Sequence, residues 1–209
     1  MPGPRRSAND STYEFDANYY RRFYDDPKTR VVDAGSVRTL AKFVAAYLAH
    51  LGIEVRTILD IGCGRGHWRH AAKHCWPKAR WFGVEWSQHL CEEHGWTHGS
   101  VVDLDPAREL GRDKFDLVVC QGVLQYLDDR QAARALQNLG RWTAGALYLE
   151  ALTRRDWLHH CDRERTDGDV HLRQGEWYLR RLSRTFATAG GGVFVPKRAA
   201  VTLFELEGS

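Results

Sequence analysis

Residues 57–68 read TILDIGCGRGHW: a short apolar run closes on Asp60, and glycine then recurs at every second position, at 62, 64 and 66. The run has the length and β-branched content of a strand, and the residues after it resume helical spacing. The stretch therefore predicts a strand, a tight turn and the start of a helix. Glycine at alternate turn positions marks backbone that a ligand approaches closely, so the expectation is that a Cβ at any of the three would stand in ligand space.

The rest of the chain continues this rhythm. Short apolar runs at 81–85, 97–102, 115–120 and 144–149 alternate with helical stretches, as in a parallel sheet with crossover helices. Val37, Leu40, Ala41, Val44, Leu48 and Leu51 predict a helix ahead of the first strand, capped by Ser36 and stopped at Gly52. Trp68, Ala71, Ala72 and Cys75 form the apolar face of the next helix; Ser87 and Asp128 stand where helix N-caps are expected. A last helix over 174–189 is predicted to stop at the glycines 190–192. VFVPKRAAVTLFELE then reads as two strands turning at Pro196 and Lys197, an antiparallel end to the sheet.

Composition narrows the function. With 209 residues, 43% of them hydrophobic, the chain suits one sizeable core. Thirty basic residues against 27 acidic ones give a formal charge of +3, too small to imply electrostatic capture of nucleic acid. The five cysteines contain no C-x-x-C pair, and no apolar stretch is long enough for a membrane span, which reads as a reduced, cytoplasmic protein. MPGPRRSAND reads as a loose tail, and Tyr13, Phe15, Tyr19, Tyr20, Phe23 and Tyr24 crowd the segment after it.

The glycines do not fit the dinucleotide fingerprint G-x-G-x-x-G, because His67 occupies the third glycine position counted from Gly62. The spacing D-x-G-x-G-x-G from Asp60 to Gly66, followed by WFGVEWS, HGSVVDLD and FDLVVCQGVLQYL, resembles the class I S-adenosylmethionine-dependent methyltransferases over roughly residues 55–150. The resemblance implies an α/β, Rossmann-like, seven-stranded, mainly parallel sheet with an antiparallel last strand, helices on both faces and an N-terminal helical cap. Residues 1–52 would be tail and cap or lid, and 53–209 the domain that binds S-adenosylmethionine and releases S-adenosylhomocysteine.

By the same resemblance, Asp60, Gly62, Cys63, Gly64, Gly66 and Trp68 belong to the cofactor loop, Asp60 acting directly or by ordering the glycines. Glu85 would accept hydrogen bonds from the ribose hydroxyls. Asp103 would end the third strand and take the adenine amino group, with Leu104 beside the ring and Asp105 a close rival. Gln121 would border the methyl group. Trp86 and Tyr126 either stack on adenine, face the sulfonium or simply pack. Tyr19 and Tyr24 belong to a lid over the pocket, or to a patch that holds the segment on the domain or on a second subunit in a homodimer.

A methyl transfer needs a positioned nucleophile and, for a hydroxyl, a base. EALTRRDWLHHCDRERTDGDVHLRQGEWY leaves the fifth strand at its carboxyl end and supplies His159 and His171 as candidate bases, with Tyr24 from the aromatic segment. His67, His70 and His74 share a helix stripe, but it lies beside the apolar face with Lys73, so a solvated stripe and no metal is expected. CQGV after the fourth strand lacks the [DNS]-P-P-[YF] of base-amine methylation, which argues against nucleic acid and for a small-molecule acceptor methylated on oxygen or nitrogen. The rival readings are an RNA or protein methyltransferase and a non-catalytic scaffold of the same fold.

Overall fold

The computed structural model describes residues 34–163, 166 and 168–204. Its core is a seven-stranded sheet of order β3-β2-β1-β4-β5-β7-β6. The strands are β1 Thr57–Ile61, β2 Arg80–Glu85, β3 Thr97–His98, β4 Phe115–Gln121, β5 Thr143–Glu150, β6 Phe186–Gly190 and β7 Val193–Pro196. The first five pair in parallel, and β7 runs antiparallel to both β5 and β6.

Helices cover both faces. On one lie α1 Ala34–His50 and α2 His67–Cys75. Val37, Ala41, Val44 and Leu48 of α1 pack with Trp68, Ala71 and Ala72 of α2 against Ile58, Leu117, Val119, Ala146 and Tyr148 of the sheet. The remaining helices are α3 Gln88–His94, α4 Pro106–Leu110, α5 Asp129–Trp142, α6 Arg154–His159 and α7 Gly175–Leu182. On the second face, Leu136 and Leu139 of α5 and Tyr178 and Leu182 of α7 meet Leu59, Val118, Leu147 and Phe186.

Local chemistry explains the boundaries. Gly52, at φ +71°, turns the chain out of α1. Ser87 Oγ caps α3. Asp128 and Gln131 form a reciprocal capping box on α5, with bonds of 2.8 and 3.0 Å.

Two elements differ from the sequence expectation. The third strand ends at His98 rather than 102, because the carbonyls of Val101 and Val102 accept bonds from the buried side-chain amide of Asn138, at 2.8 and 2.9 Å, in place of a strand neighbour. Glycines 190–192 do not stop a helix: α7 ends at Leu182, and Gly190, Gly191 and Gly192 at φ +94°, +57° and +79° turn β6 into β7. Among the described residues, those after Pro196 form no further strand.

Strand parity sets up the site. Side chains alternate across a strand, so Asp60 on β1, Glu85 on β2, Gln121 on β4 and Tyr148 and Glu150 on β5 all lie on the face covered by α1 and α2. The register places Asp60 beside Gly83 and Val119, and Gln121 directly beside Glu150. Apart from Asp60 in mid-sheet, these polar groups gather where the parallel strands end, the position at which open α/β sheets bind ligands.

Candidate active site

The turn after β1 is built of three left-handed glycines, Gly62, Gly64 and Gly66 at φ +68°, +50° and +71°. A side chain in that region is strained. Space separates the three. A Cβ on Gly62 would overlap Val123 Cγ2, one on Gly66 would come within 3.0 Å of the Trp96 ring, and one on Gly64 would meet nothing within 4 Å. The expectation that all three leave room for a ligand is corrected: Gly62 and Gly66 yield to protein neighbours, and Gly64 alone opens on free space.

Glu85 holds this turn. Its Oε2 accepts the Gly64 N–H at 2.8 Å and its Oε1 the Ser87 N–H at 2.9 Å. Trp96 Nε1 donates to the Gly64 carbonyl at 3.0 Å. Glu85 is buried at 5% exposure, a cost offset by these charge-assisted bonds.

A cavity of about 470 Å³ opens beyond the turn. Its walls come from α1 (Val37), β1 (Asp60), the glycine turn (Gly62, Cys63, Gly64, Arg65), α2 (His67, Trp68), the end of β4 (Gln121, Gly122, Gln125, Tyr126) and the segment after β5 (Glu150, Ala151, Leu152, Asp156, His160, Cys161, Thr166). Asp60 is 2% exposed, and among the described residues no hydrogen bond reaches its Oδ2. Burial pushes its carboxyl up to about 8, opposed by the indole N–H of Trp81 and assisted by the charge of Glu85. Gly83 permits that indole to lie there, since a Cβ would overlap its ring. Burial, with Asp60 and Glu85 nearby, drives the Cys63 thiol strongly up, so Cys63 is a neutral wall rather than a nucleophile.

Across the cavity a chain of bonds fixes Glu150. Trp68 Nε1 donates to Gln121 Oε1 at 2.8 Å, Gln121 Nε2 donates to Glu150 Oε2 at 3.1 Å, and Tyr148 donates its hydroxyl to the same oxygen at 2.9 Å. The Trp68 and Tyr148 rings close the loop, with centroids 5.4 Å apart. Burial and the neighbouring carboxylate raise the Tyr148 hydroxyl well above its usual range, so it stays a donor.

The segment after β5 is fastened to the rim by Arg173. Buried at 6% exposure, its guanidinium donates to Asp129 at 2.7 Å, to the Leu124 carbonyl at 3.0 Å, to the Tyr178 hydroxyl at 3.1 Å and to the carbonyls of His171 and Leu127. The Trp177 ring covers it at 4.9 Å. The His171 N–H adds a 2.7 Å bond to the Gln125 carbonyl.

Of the residues singled out from the sequence, Asp60, Gly62, Cys63, Gly64, Trp68, Gln121 and Tyr126 line the cavity. Glu85 lies beneath the glycine turn, and Trp86 stands 54% exposed, stacked on His98 at 5.5 Å. Asp103 does not end β3 as expected: it falls beyond the shortened strand, 73% exposed and 3.6 Å from Arg134, and does not line the cavity. The Leu104 side chain belongs to the core. His159 and His171 are both exposed and neither lines the cavity. His160, exposed at the end of α6, lies at the cavity wall instead, and the His171 N–H bonds the Gln125 carbonyl. Tyr19 and Tyr24 lie outside the described residues. Among the described residues no three His, Cys, Asp or Glu side chains group closely enough for a metal ion.

The sequence reading overlooked Glu150 and Asp156 as wall residues. For Glu150 a signal existed: it ends an apolar strand with the same parity as Gln121, which a parallel register makes its neighbour.

Comparison with known proteins agrees with this geometry. Residues 58–145 match the family model described as a methyltransferase domain. The sugar N-methyltransferase KedS8 from Streptoalloteichus sp ATCC 53650 is 20% identical with a TM-score of 0.61, covering 94% of this chain and 98% of its own. The PH0226 protein from Pyrococcus horikoshii OT3 is 14% identical with a TM-score of 0.60, covering 87% of this chain and all of its own. The plantazolicin methyltransferase BpumL, solved in complex with SAH, is 13% identical with a TM-score of 0.53; the match covers 72% of this chain, which spans 63% of BpumL. No curated protein matches the sequence. At these identities the structural likeness establishes the fold, the Rossmann-like α/β fold of class I methyltransferases.

Proposed function

We propose that this chain, with its class I methyltransferase fold, transfers the methyl group of S-adenosylmethionine to an oxygen or nitrogen of a small-molecule acceptor held in the cavity beyond β4 and β5. The observation that carries the reading is the pairing of an open Gly64 with an unbonded, fully buried Asp60 Oδ2 on the wall of that cavity. A buried carboxyl without a partner is costly, and a ligand bearing a donor repays the cost. A scaffold would have no use for it.

The residues fit the cofactor. The glycine turn and Asp60 would take its amino-acid end, and Glu85, fixed by Gly64 and Ser87, would meet its ribose hydroxyls. Bound there, the sulfonium supplies an electrophilic methyl carbon, so the protein's share is alignment and proton removal. Gln121, anchored by Trp68 and Glu150, would set the wall beside the methyl group. Trp68 and Tyr126, on the cavity wall, would exclude water from the methyl group and offer ring faces to positive charge.

The test is a calorimetric titration with S-adenosylhomocysteine, beside NADH and beside Glu85→Ala. The expected result is micromolar binding by the wild type, lost in the variant and absent for NADH. Folded wild-type protein that binds no S-adenosylhomocysteine would overturn the reading.

A further inference from the structure

The cavity places a carboxylate on the side away from Asp60, at the end of β5. Its acidic and basic wall groups, among the described residues, are Glu150 and Asp156 against Arg65, with His67 and His160 beside them and Asp60 held largely protonated by burial at neutral pH. Arg65 does not redress the balance, since its guanidinium is engaged with Glu93 at 3.2 Å, outside the cavity wall. Asp60, 2% exposed and with no hydrogen bond to Oδ2 among the described residues, would face the cofactor's amino-acid end on the reading above. Glu150 stands two strands away, on β5 rather than β1, about 10 Å across the sheet at the usual strand spacing. A cation bound near Asp60 would therefore not reach Glu150.

Glu150 is also built differently from a surface carboxylate. The Gln121 amide and the Tyr148 hydroxyl both bond Oε2, and no bond to Oε1 is present among the described residues. One oxygen is thus fixed and the other left to a ligand. An acceptor bearing a carboxylate, phosphate or phenolate would be repelled there. An ammonium would be attracted to it and to the Trp68 and Tyr126 rings.

We propose that the acceptor is a small primary or secondary amine, bound as its ammonium ion against Glu150 Oε1, and that Glu150 is the base of the reaction. This rests on the methyl-transfer reading above and narrows it to nitrogen. Glu150 removes one proton from the ammonium, freeing the nitrogen lone pair. That pair forms the N–C bond to the methyl carbon as the C–S bond opens, and the C–S electrons remain on sulfur as a neutral thioether. The product leaves as the methylated ammonium, and Glu150 passes its proton to water. His160 is the weaker candidate: it lies at the exposed end of α6, with its ring against His159 at 6.2 Å and no bond that orients it.

The experiment compares matched probes, 2-phenylethylamine with 2-phenylethanol and glucosamine with glucose, in a turnover assay that follows S-adenosylhomocysteine release. Wild type and Glu150→Gln are compared, and S-adenosylhomocysteine affinity is measured on both. Glu150→Gln keeps the side-chain shape at an exposed position, so cofactor affinity is expected to stay within about twofold. The expected result is turnover of an amine and not of its alcohol, reduced on the order of 100-fold or more in Glu150→Gln. Turnover of alcohols as readily as amines, or amine turnover indifferent to Glu150→Gln, overturns the proposal. Wild-type protein that binds S-adenosylhomocysteine but turns over neither amine overturns it too, and leaves the methyl-transfer reading standing. Failure to bind S-adenosylhomocysteine defeats the reading beneath it.

Discussion

The glycine turn offers a discriminating test because its three glycines are expected to fail in different ways when replaced by alanine. All three have positive φ, so each substitution costs about 1–2 kcal/mol of backbone strain. For Gly64→Ala that is the whole cost to stability, since its Cβ meets nothing within 4 Å. Gly62→Ala also drives a methyl group into Val123, and overpacking adds about 1–3 kcal/mol. At about 2–4 °C per kcal/mol for a chain of this size, Gly64→Ala should lower Tm by about 3–6 °C and Gly62→Ala by about twice that. Binding should invert the order of specific effects: the Gly64→Ala methyl stands in the cavity and should weaken S-adenosylhomocysteine at least about tenfold, or about 1.4 kcal/mol. The assay is thermal unfolding with calorimetric binding, run with Val123→Ala as a second site. Gly62→Ala and Val123→Ala should couple by about 1–3 kcal/mol, whereas Gly64→Ala and Val123→Ala should be additive. Equal coupling at both positions, or full affinity in Gly64→Ala, would refute the assignment of Gly62 to packing and Gly64 to the ligand.

Asp60 should impose a pH dependence on stability. With its folded pKa raised to about 8, the folded protein keeps a proton between about pH 4 and 8 that the unfolded chain has lost, so this contribution falls as pH rises through that window and levels off above it. Its slope reaches about 1.4 kcal/mol per pH unit, and Asp60→Asn should remove it; urea unfolding of both proteins from pH 5 to 8 checks this, and a difference between them that is constant with pH would count against it. Arg173→Ala should cost about 2–4 kcal/mol, because it strips bonds from the carbonyls of Leu124 and Leu127. Hydrogen exchange should then rise first in residues 124–127 and 151–174, and uniform exchange across the sheet would show that Arg173 is not the fastening. Tyr148→Phe should weaken acceptor turnover by roughly tenfold through misplacement of Glu150, with S-adenosylhomocysteine affinity unchanged; a parallel loss of both would point to a packing role.

How much of this could be read in the sequence depends on how local each cause is. The β1 turn was legible because left-handed backbone demands glycine, and the caps at Ser87 and Asp128 because a side-chain oxygen three residues before its partner N–H is a matter of spacing alone. Glu85 and Gln121 were singled out through the family resemblance, at the ends of apolar runs that form β2 and β4. β3 was overextended because Val101 and Val102 are as apolar as strand residues, while the side chain that claims their carbonyls, Asn138, belongs to a distant helix. The C-terminal hairpin was displaced because three consecutive glycines can end a helix or turn a strand. Glu150 was passed over although its parity with Gln121 was readable, whereas the path of the segment after β5 was not, because Arg173 fastens it through partners scattered from Leu124 to Tyr178.

The strand order has a consequence for synthesis. β7 lies between β5 and β6, so the edge of β5 finds its partner only when residues 193–196 have been made, more than 40 residues after β5 itself. β6 emerges first but has no place in the sheet until β7 arrives beside β5. A nascent chain at that stage carries five assembled strands with an open, apolar edge, the kind of surface that pairs with neighbouring chains. Translation through the last helix and hairpin is therefore the interval in which a chaperone, or a slow codon placed wrongly, decides between the folded chain and an aggregate.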